Sequence, residues 1–176
     1  MANEHLVPLW WPHPTLEAYW RDNLWNTEGA TQPWVQALLY QLCRALDVRR
    51  AVELGCWNGL TSCWLAMAIS ANGGGMLTVL DHNVGCLKTT AERLAKLDLA
   101  NMELRQECMD SKDYVPPADT QFIFLDDDKT NVSQKIAAFA THCPGAYIAV
   151  HDIETVPDVA MLRLVTPILH SSGHLG

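Results

Sequence analysis

Basic residues are scarce in this chain. Lys and Arg number 12 against 20 Asp and Glu in 176 residues, a formal net charge of −8. Nucleic-acid binding draws on a concentrated basic face, and none is present, so no nucleic-acid partner is expected. Only Arg49 and Arg50 are adjacent, and they fall where a helix should end, as cations favoured by the helix dipole. Long apolar runs are also missing: each breaks well before the roughly 20 residues of a membrane span, so no membrane partner is expected and the protein should be soluble. The six cysteines form no C-x-x-C pair, and no apolar segment follows a basic amino terminus. That argues against a secreted disulfide framework and for a reducing cytoplasm. His5, His13, His142, His170 and His174 show no zinc-binding spacing, and no G-x-S-x-G elbow of a hydrolase occurs.

What is present centres on Glu53-Leu54-Gly55-Cys56-Trp57-Asn58-Gly59-Leu60-Thr61, directly after the apolar pair Ala51-Val52. A short buried strand ending in an acid, a turn with two glycines and then a helix should present backbone N–H groups to a ligand. The second glycine is followed by Leu60-Thr61 and not by Lys with Ser or Thr, so no triphosphate cradle is formed. Trp57 stands where a dinucleotide fingerprint needs its second glycine. The remaining pattern, E-x-G-x-x-x-G-x-T, suits a smaller ligand carrying a carboxylate and an ammonium group.

Around this turn, apolar strand-like segments alternate with helix-like ones. Strands are expected at 76–81, 102–107, 121–126 and 146–152, and helices at 34–46, 60–71, 86–97, 131–142 and 157–170. Such β-α alternation implies an α/β fold with a doubly wound, mostly parallel sheet, ligands sitting at the carboxyl ends of its strands. With 49% apolar residues the chain can bury one core, and one domain is expected over residues 35–176. Residues 1–34 differ, with Trp10, Trp11, Trp20, Trp25 and Trp34 among Pro8, Pro12, Pro14 and Pro33. This arm is expected to pack on the domain, roof the substrate cleft or contact another subunit.

Acids recur at the strand ends. Asp81 can accept hydrogen bonds from the ribose hydroxyls of a nucleoside, and Asp110 can accept from an adenine amino group while Met109 packs on the ring. Each also has an ordinary use as a turn former or helix cap. Asp126-Asp127-Asp128-Lys129 follows the buried run Phe122 to Leu125 and should lie at the mouth of the cleft. Mutual repulsion there calls for Lys129, solvent or a cation, and a hard ion such as Mg2+ would find Asp126, Asp127 and Asp152 as oxygen ligands. A solvated acidic loop is the alternative.

The run from Glu53 to Thr61, Asp81 after a strand, and Leu125 to Asn131 together resemble class I S-adenosylmethionine (SAM)-dependent methyltransferases, closest to small-molecule O-methyltransferases of the catechol and caffeoyl-CoA type. Thr27-Glu28-Gly29 before the first helix echoes the same enzymes. The resemblance covers about residues 27–153 and implies a Rossmann-like fold with SAM as cofactor. Glu53 and the turn Gly55, Cys56, Trp57 and Gly59 would hold the methionine part, with Thr61 or Ser62 nearby. Asp81 would hold the ribose, His82 would flank the adenine, Met109 and Asp110 would contact it, and Asp126 would reach both cofactor and metal.

Lys129 would match the general base of that family. His151 is a second candidate, since histidine titrates near neutrality without help. Two departures stand out. Ile153 replaces the Asn that usually completes the metal site, and the residues after Asp152 are too few for the usual closing antiparallel strand pair. The expected function is methyl transfer from SAM to a small-molecule acceptor, through a hydroxyl oxygen and with Mg2+ assistance. A non-catalytic methyltransferase-like binding module is the alternative, and an open sheet edge would invite a homo-oligomer.

Overall fold

The computed structural model describes residues 31–128 and 130–152. The arm before residue 31, Lys129, Ile153 and the helix expected over 157–170 lie outside the described residues. The described chain runs α1 (Pro33–Ala45), β1 (Arg50–Leu54), α2 (Leu60–Ala71), β2 (Gly75–Asp81), α3 (Val84–Ala95), β3 (Met102–Cys108), a 3-10 turn (Ser111–Asp113), β4 (Phe122–Leu125), α4 (Val132–His142) and β5 (Tyr147–Val150). All five strands are parallel, in the order β3-β2-β1-β4-β5. The chain builds outward from β1 to β3 and then returns to β4 on the other side of β1. This makes the carboxyl ends of β1 and β4 the topological switch point, where ligands of such sheets bind.

Side-chain alternation along the strands explains the layers. Ala51, Leu77, Val79, Phe122 and Phe124 face one core with α1, α2 and α3, while Val52, Leu54, Leu80, Ile123 and Leu125 face the other with α4. Because both faces are covered, the central strands read as continuous apolar runs. Helix α2 is buried from Leu60 through Ile69, since it lies between the sheet and its neighbouring helices. Trp64 within it is almost fully buried and meets Tyr40 of α1 edge to face, centroids 6.2 Å apart. Helix α1 opens with Pro33 in its first turn and buries Gln36, Leu39, Tyr40 and Cys43, one helical stripe.

The element order matches the expected alternation, with shifts at the ends. Helix α3 starts at Val84, two residues before the expected Cys86, because the Asn83 side chain caps it by accepting from Gly85 N at 2.8 Å. Arg49 and Arg50 are not helix-terminal cations. Arg50 opens β1 and pairs with Asp119 at 3.1 Å, and Arg49 pairs with Asp47 at 3.6 Å. Strand β5 ends at Val150, so alternation no longer separates His151 from Asp152. Among the described residues no helix is long and apolar enough to cross a membrane.

Candidate active site

The β1–α2 turn is pressed against the end of β4. Gly55 has φ +85°, and a Cβ there would come within 2.6 Å of the Asp126 carbonyl oxygen. At Gly59, with φ +78°, a Cβ would lie 2.7 Å from Thr90 of α3. Only glycine meets both demands, a left-handed backbone and contact with neighbouring chain. The N–H groups of this turn do not point freely at a ligand as the motif suggests. Gly55 N and Cys56 N donate to the Leu80 carbonyl at 2.9 and 3.2 Å, Gly59 N donates to Cys56 O at 2.7 Å, and Trp57 N donates to Asp81 Oδ2 at 3.1 Å.

Asp81 ends β2 beside the turn and also accepts from Asn83 N at 2.9 Å. A carboxylate offers about four lone-pair sites, so capacity remains for the hydroxyls of a sugar. A cavity of about 460 Å³ opens at this point, lined by Gly55, Trp57, Asp81, His82, Met109, Asp110 and Asp126 among others. His82 is almost fully exposed at the rim. Asp110 caps the 3-10 turn, accepting from Lys112 N at 3.0 Å and pairing with its ammonium at 2.7 Å, which holds its carboxyl below the usual range.

Glu53 alternates with Val52 and Leu54 and therefore faces α2, where Ser62 donates to its carboxylate. Burial above all, with the nearby Asp126 and Asp81 adding to it, pushes the Glu53 carboxyl up to about 8 against the lowering effect of the hydrogen bond from Ser62. The Ser62 hydroxyl is thus turned to Glu53. Thr61 lines a narrower pocket, which shares Gly55, Trp57 and Asp126 with the larger cavity and extends to Glu53, Asn58 and Gln36. The Cys56 thiol is buried and pushed up to about 12, so it is a poor nucleophile at neutral pH.

Beyond the switch point, the structure brings Asp126, His151 and Asp152 together. His151 Nδ1 lies 2.8 Å from Asp126 Oδ1 and 3.3 Å from Asp152 Oδ2, and the three side chains offer ligand atoms within 4.8 Å of one another. The turn after β5 produces this convergence, Asp152 adopting φ +52°. The chain before α1 reaches over the same place: Thr31 Oγ1 donates to Asp126 Oδ2 at 2.7 Å, and Gln32 Oε1 lies 3.0 Å from His151 Nε2. Asp127 is not part of this cluster. It forms a buried ion pair with Lys135 of α4 at 2.7 Å, whose ammonium also donates to Asp128 O at 3.1 Å. Asp128 accepts from Thr130 N and Oγ1, closing a local turn.

Sequence reasoning did not single out Thr31, Gln32, Gln36, Asn58 or Lys135. For Gln36 a signal exists: it shares the helical stripe of Leu39, Tyr40 and Cys43, where a polar residue is out of place unless it serves something. Lys135 has a comparable signal, a cation on the inner face of α4. Thr31 and Gln32 carry none.

A parallel sheet that reverses its winding beside a glycine turn, with an acid closing the neighbouring strand, defines an α/β enzyme that binds a nucleoside-containing cofactor. More particularly, the chain belongs to the methyltransferase-domain family, which it matches over residues 52–153, and it is a class I SAM-dependent methyltransferase.

Among solved structures it is similar to the O-methyltransferase TomG from Streptomyces achromogenes, solved with SAM. The two are 22% identical with a TM-score of 0.63, covering 90% of this chain and 78% of that one. It is likewise similar to the Bacillus cereus O-methyltransferase solved with S-adenosylhomocysteine (20% identical, TM-score 0.61, 94% and 81% covered). The methyltransferase PaMTH1 from Podospora anserina, bound to the same product, is 11% identical with a TM-score of 0.65, covering 96% and 79%. At these identities the likeness establishes the fold. No curated protein matches the sequence.

Proposed function

We propose that the chain transfers the methyl group of SAM to a hydroxyl oxygen of a small-molecule acceptor, with His151 taking the proton. The observation that carries this reading is the placement of His151. Its Nδ1 is shared between two carboxylates, which favours the tautomer with a proton on Nδ1 and fixes the ring. Nε2, 3.0 Å from Gln32 Oε1, is then the nitrogen that takes the acceptor's proton once the incoming hydroxyl displaces that amide oxygen. A positioned base within hydrogen-bond reach contributes about 10²–10⁴-fold to such a step. Lys129, next to the same acidic run, is the second candidate base on the strength of the family resemblance.

The cofactor is read as lying across the switch point. Its adenosine occupies the cavity between Asp81, Met109 and Asp110, with Trp57 and His82 at the rim. Its methionine end follows the β1–α2 turn towards Glu53 and Thr61. The sulfonium then comes to rest near Asp126, with the methyl group facing the His151 side. Three carboxylates, Asp81, Asp126 and Asp152, surround this path, a setting that attracts a cation. Reaction is an in-line displacement on the methyl carbon, for which orientation of the two substrates matters most.

The donor set fits a divalent ion in part. Asp126 and Asp152 are suitable oxygen ligands, whereas Asp127 is held by Lys135 and the imidazole is a nitrogen donor less suited to Mg2+. A bound Mg2+, held by Asp126 and Asp152, would lower the pKa of the acceptor hydroxyl. The protein is read as cytoplasmic, and self-association as a property to be measured.

The test is release of S-adenosylhomocysteine from SAM with a panel of small aromatic acceptors bearing hydroxyl, amino or thiol groups, with and without a chelator. Turnover is expected on hydroxyl acceptors, falling by about 10²-fold or more in His151→Ala. Methylation of amines alone, or full activity in that variant, would refute the assignment.

A further inference from the structure

The imidazole of His151 has two ways of being satisfied. Gln32 Oε1, 3.0 Å from Nε2, can only accept a hydrogen bond, so that contact closes when a proton sits on Nε2. Nδ1 then turns a lone pair towards Asp126 Oδ1 at 2.8 Å and Asp152 Oδ2 at 3.3 Å. Three acceptor atoms converge on one point, and a cation satisfies them together.

Their spacing suits a metal ion. A tetrahedral ion about 2.0–2.2 Å from each nitrogen or oxygen ligand holds those ligands about 3.3 Å apart. The separations from Nδ1 lie close to that value, and the three residues offer ligand atoms within 4.8 Å of one another. Two carboxylates neutralise a dication, and a nitrogen among the ligands selects the zinc and cobalt class over Mg2+, which takes oxygen. His151 thereby supplies the ligand that Ile153 cannot. The outer partners that orient such ligands are also in place. Gln32 receives the Nε2 proton, and Thr31 Oγ1 holds Oδ2 of Asp126, turning Oδ1 to the point of convergence. The side chains of His151 and Asp126 are mostly buried, whereas Asp152, 43% exposed, leaves an approach from solvent.

We infer that Asp126, His151 Nδ1 and Asp152 form a site for a divalent transition-metal ion of the zinc and cobalt class, and that filling it switches methyl transfer off. The ion takes the place of the proton on Nδ1, and the imidazole proton moves to Nε2, where Gln32 Oε1 accepts it. No lone pair is then left to receive the proton of an acceptor hydroxyl. The switch rests on the base assignment proposed above; the metal site does not.

The test combines Zn2+ titration by calorimetry, nitrogen NMR of protein carrying 15N-labelled histidine, and the methyl-transfer assay. One equivalent of Zn2+ is expected to shift Nδ1 of His151 while its Nε2 stays protonated, and Mg2+ to leave both nitrogens unshifted. Gln32→Leu, which removes an outer partner, is expected to weaken Zn2+ by about ten- to a hundred-fold, and His151→Ala, which removes a ligand, by at least as much. In the assay one equivalent of Zn2+ abolishes turnover and a chelator restores it. Zn2+ affinity unchanged in His151→Ala, or coordination through Nε2, overturns the site. Should His151→Ala fail to fold, Asp152→Ala decides the same point, since it too must weaken Zn2+. Zn2+ bound through Nδ1 with turnover intact or increased overturns the switch. Absence of turnover on every acceptor refutes the proposed function and the switch with it, while the nitrogen shifts still decide the metal site.

Discussion

Glu53 is the residue whose chemistry the fold changes most. Its carboxyl is raised from 4.5 to about 8 by burial, with Asp126 and Asp81 adding to the rise. Between those two values the folded protein holds a proton that the unfolded chain has released. The stability this provides is therefore full below about pH 4.5 and is lost as the pH climbs through about 8. Glu53→Gln stays neutral throughout. In the absence of cofactor its melting temperature is expected to vary less than that of the wild type between pH 5 and 8, with the largest advantage above pH 8. Identical pH slopes in the two proteins would show that Glu53 does not carry the shift. The sequence marks Glu53 as a site residue through its place before the glycines, but not its protonation, since that depends on α2 covering it and on two acids from other strands. Cysteine behaves alike: six thiols are visible in the sequence, yet only burial makes Cys43, Cys56 and Cys63, each pushed up to about 12, poor nucleophiles.

At the scale of elements, the β1–α2 turn is the joint on which the site depends. Gly55→Ala forces a left-handed Cα to carry a Cβ within 2.6 Å of a backbone oxygen. Strain of about 1–3 kcal/mol plus displacement of the β4 end is expected, so denaturant midpoints should fall and cofactor binding should be lost together. A variant with unchanged midpoint and affinity would mean that the turn tolerates a side chain and that the glycine is not required by geometry. Strands and helices were readable because apolar runs and helical stripes report burial directly; the expected and observed α2 coincide at Leu60–Ala71. The ends were less readable. A cap such as Asn83, or the stop of β5 at Val150, depends on which hydrogen bonds the next turn can make. That stop is what lets His151 and Asp152 face the same point, contrary to what continued strand alternation would give.

For the whole molecule, the order β3-β2-β1-β4-β5 places acids from three different strand ends around one cleft. Any ligand that occupies it and prefers the folded state stabilises the protein by mass action, about 2.7 kcal/mol at a hundred times its Kd. SAM and S-adenosylhomocysteine are therefore expected to raise the melting temperature, while ATP and NAD, excluded by the absence of a phosphate-binding lysine and by Trp57 in place of the second glycine, should not. A shift with ATP or NAD comparable to that with SAM would contradict the reading of the turn.

The sequence by itself determined the class of the fold, the central turn and the acids available at the strand ends, because these follow from local periodicity and from the backbone freedom of glycine. Tertiary structure decided which of those groups meet. It withdrew Asp127 into a pair with Lys135, turned the N–H groups of the glycine turn inward, and drew Gln32 and Gln36 from a preceding segment to the reaction cleft. Contacts between residues remote in the chain depend on packing and register, and no pattern of neighbouring residues encodes them separately.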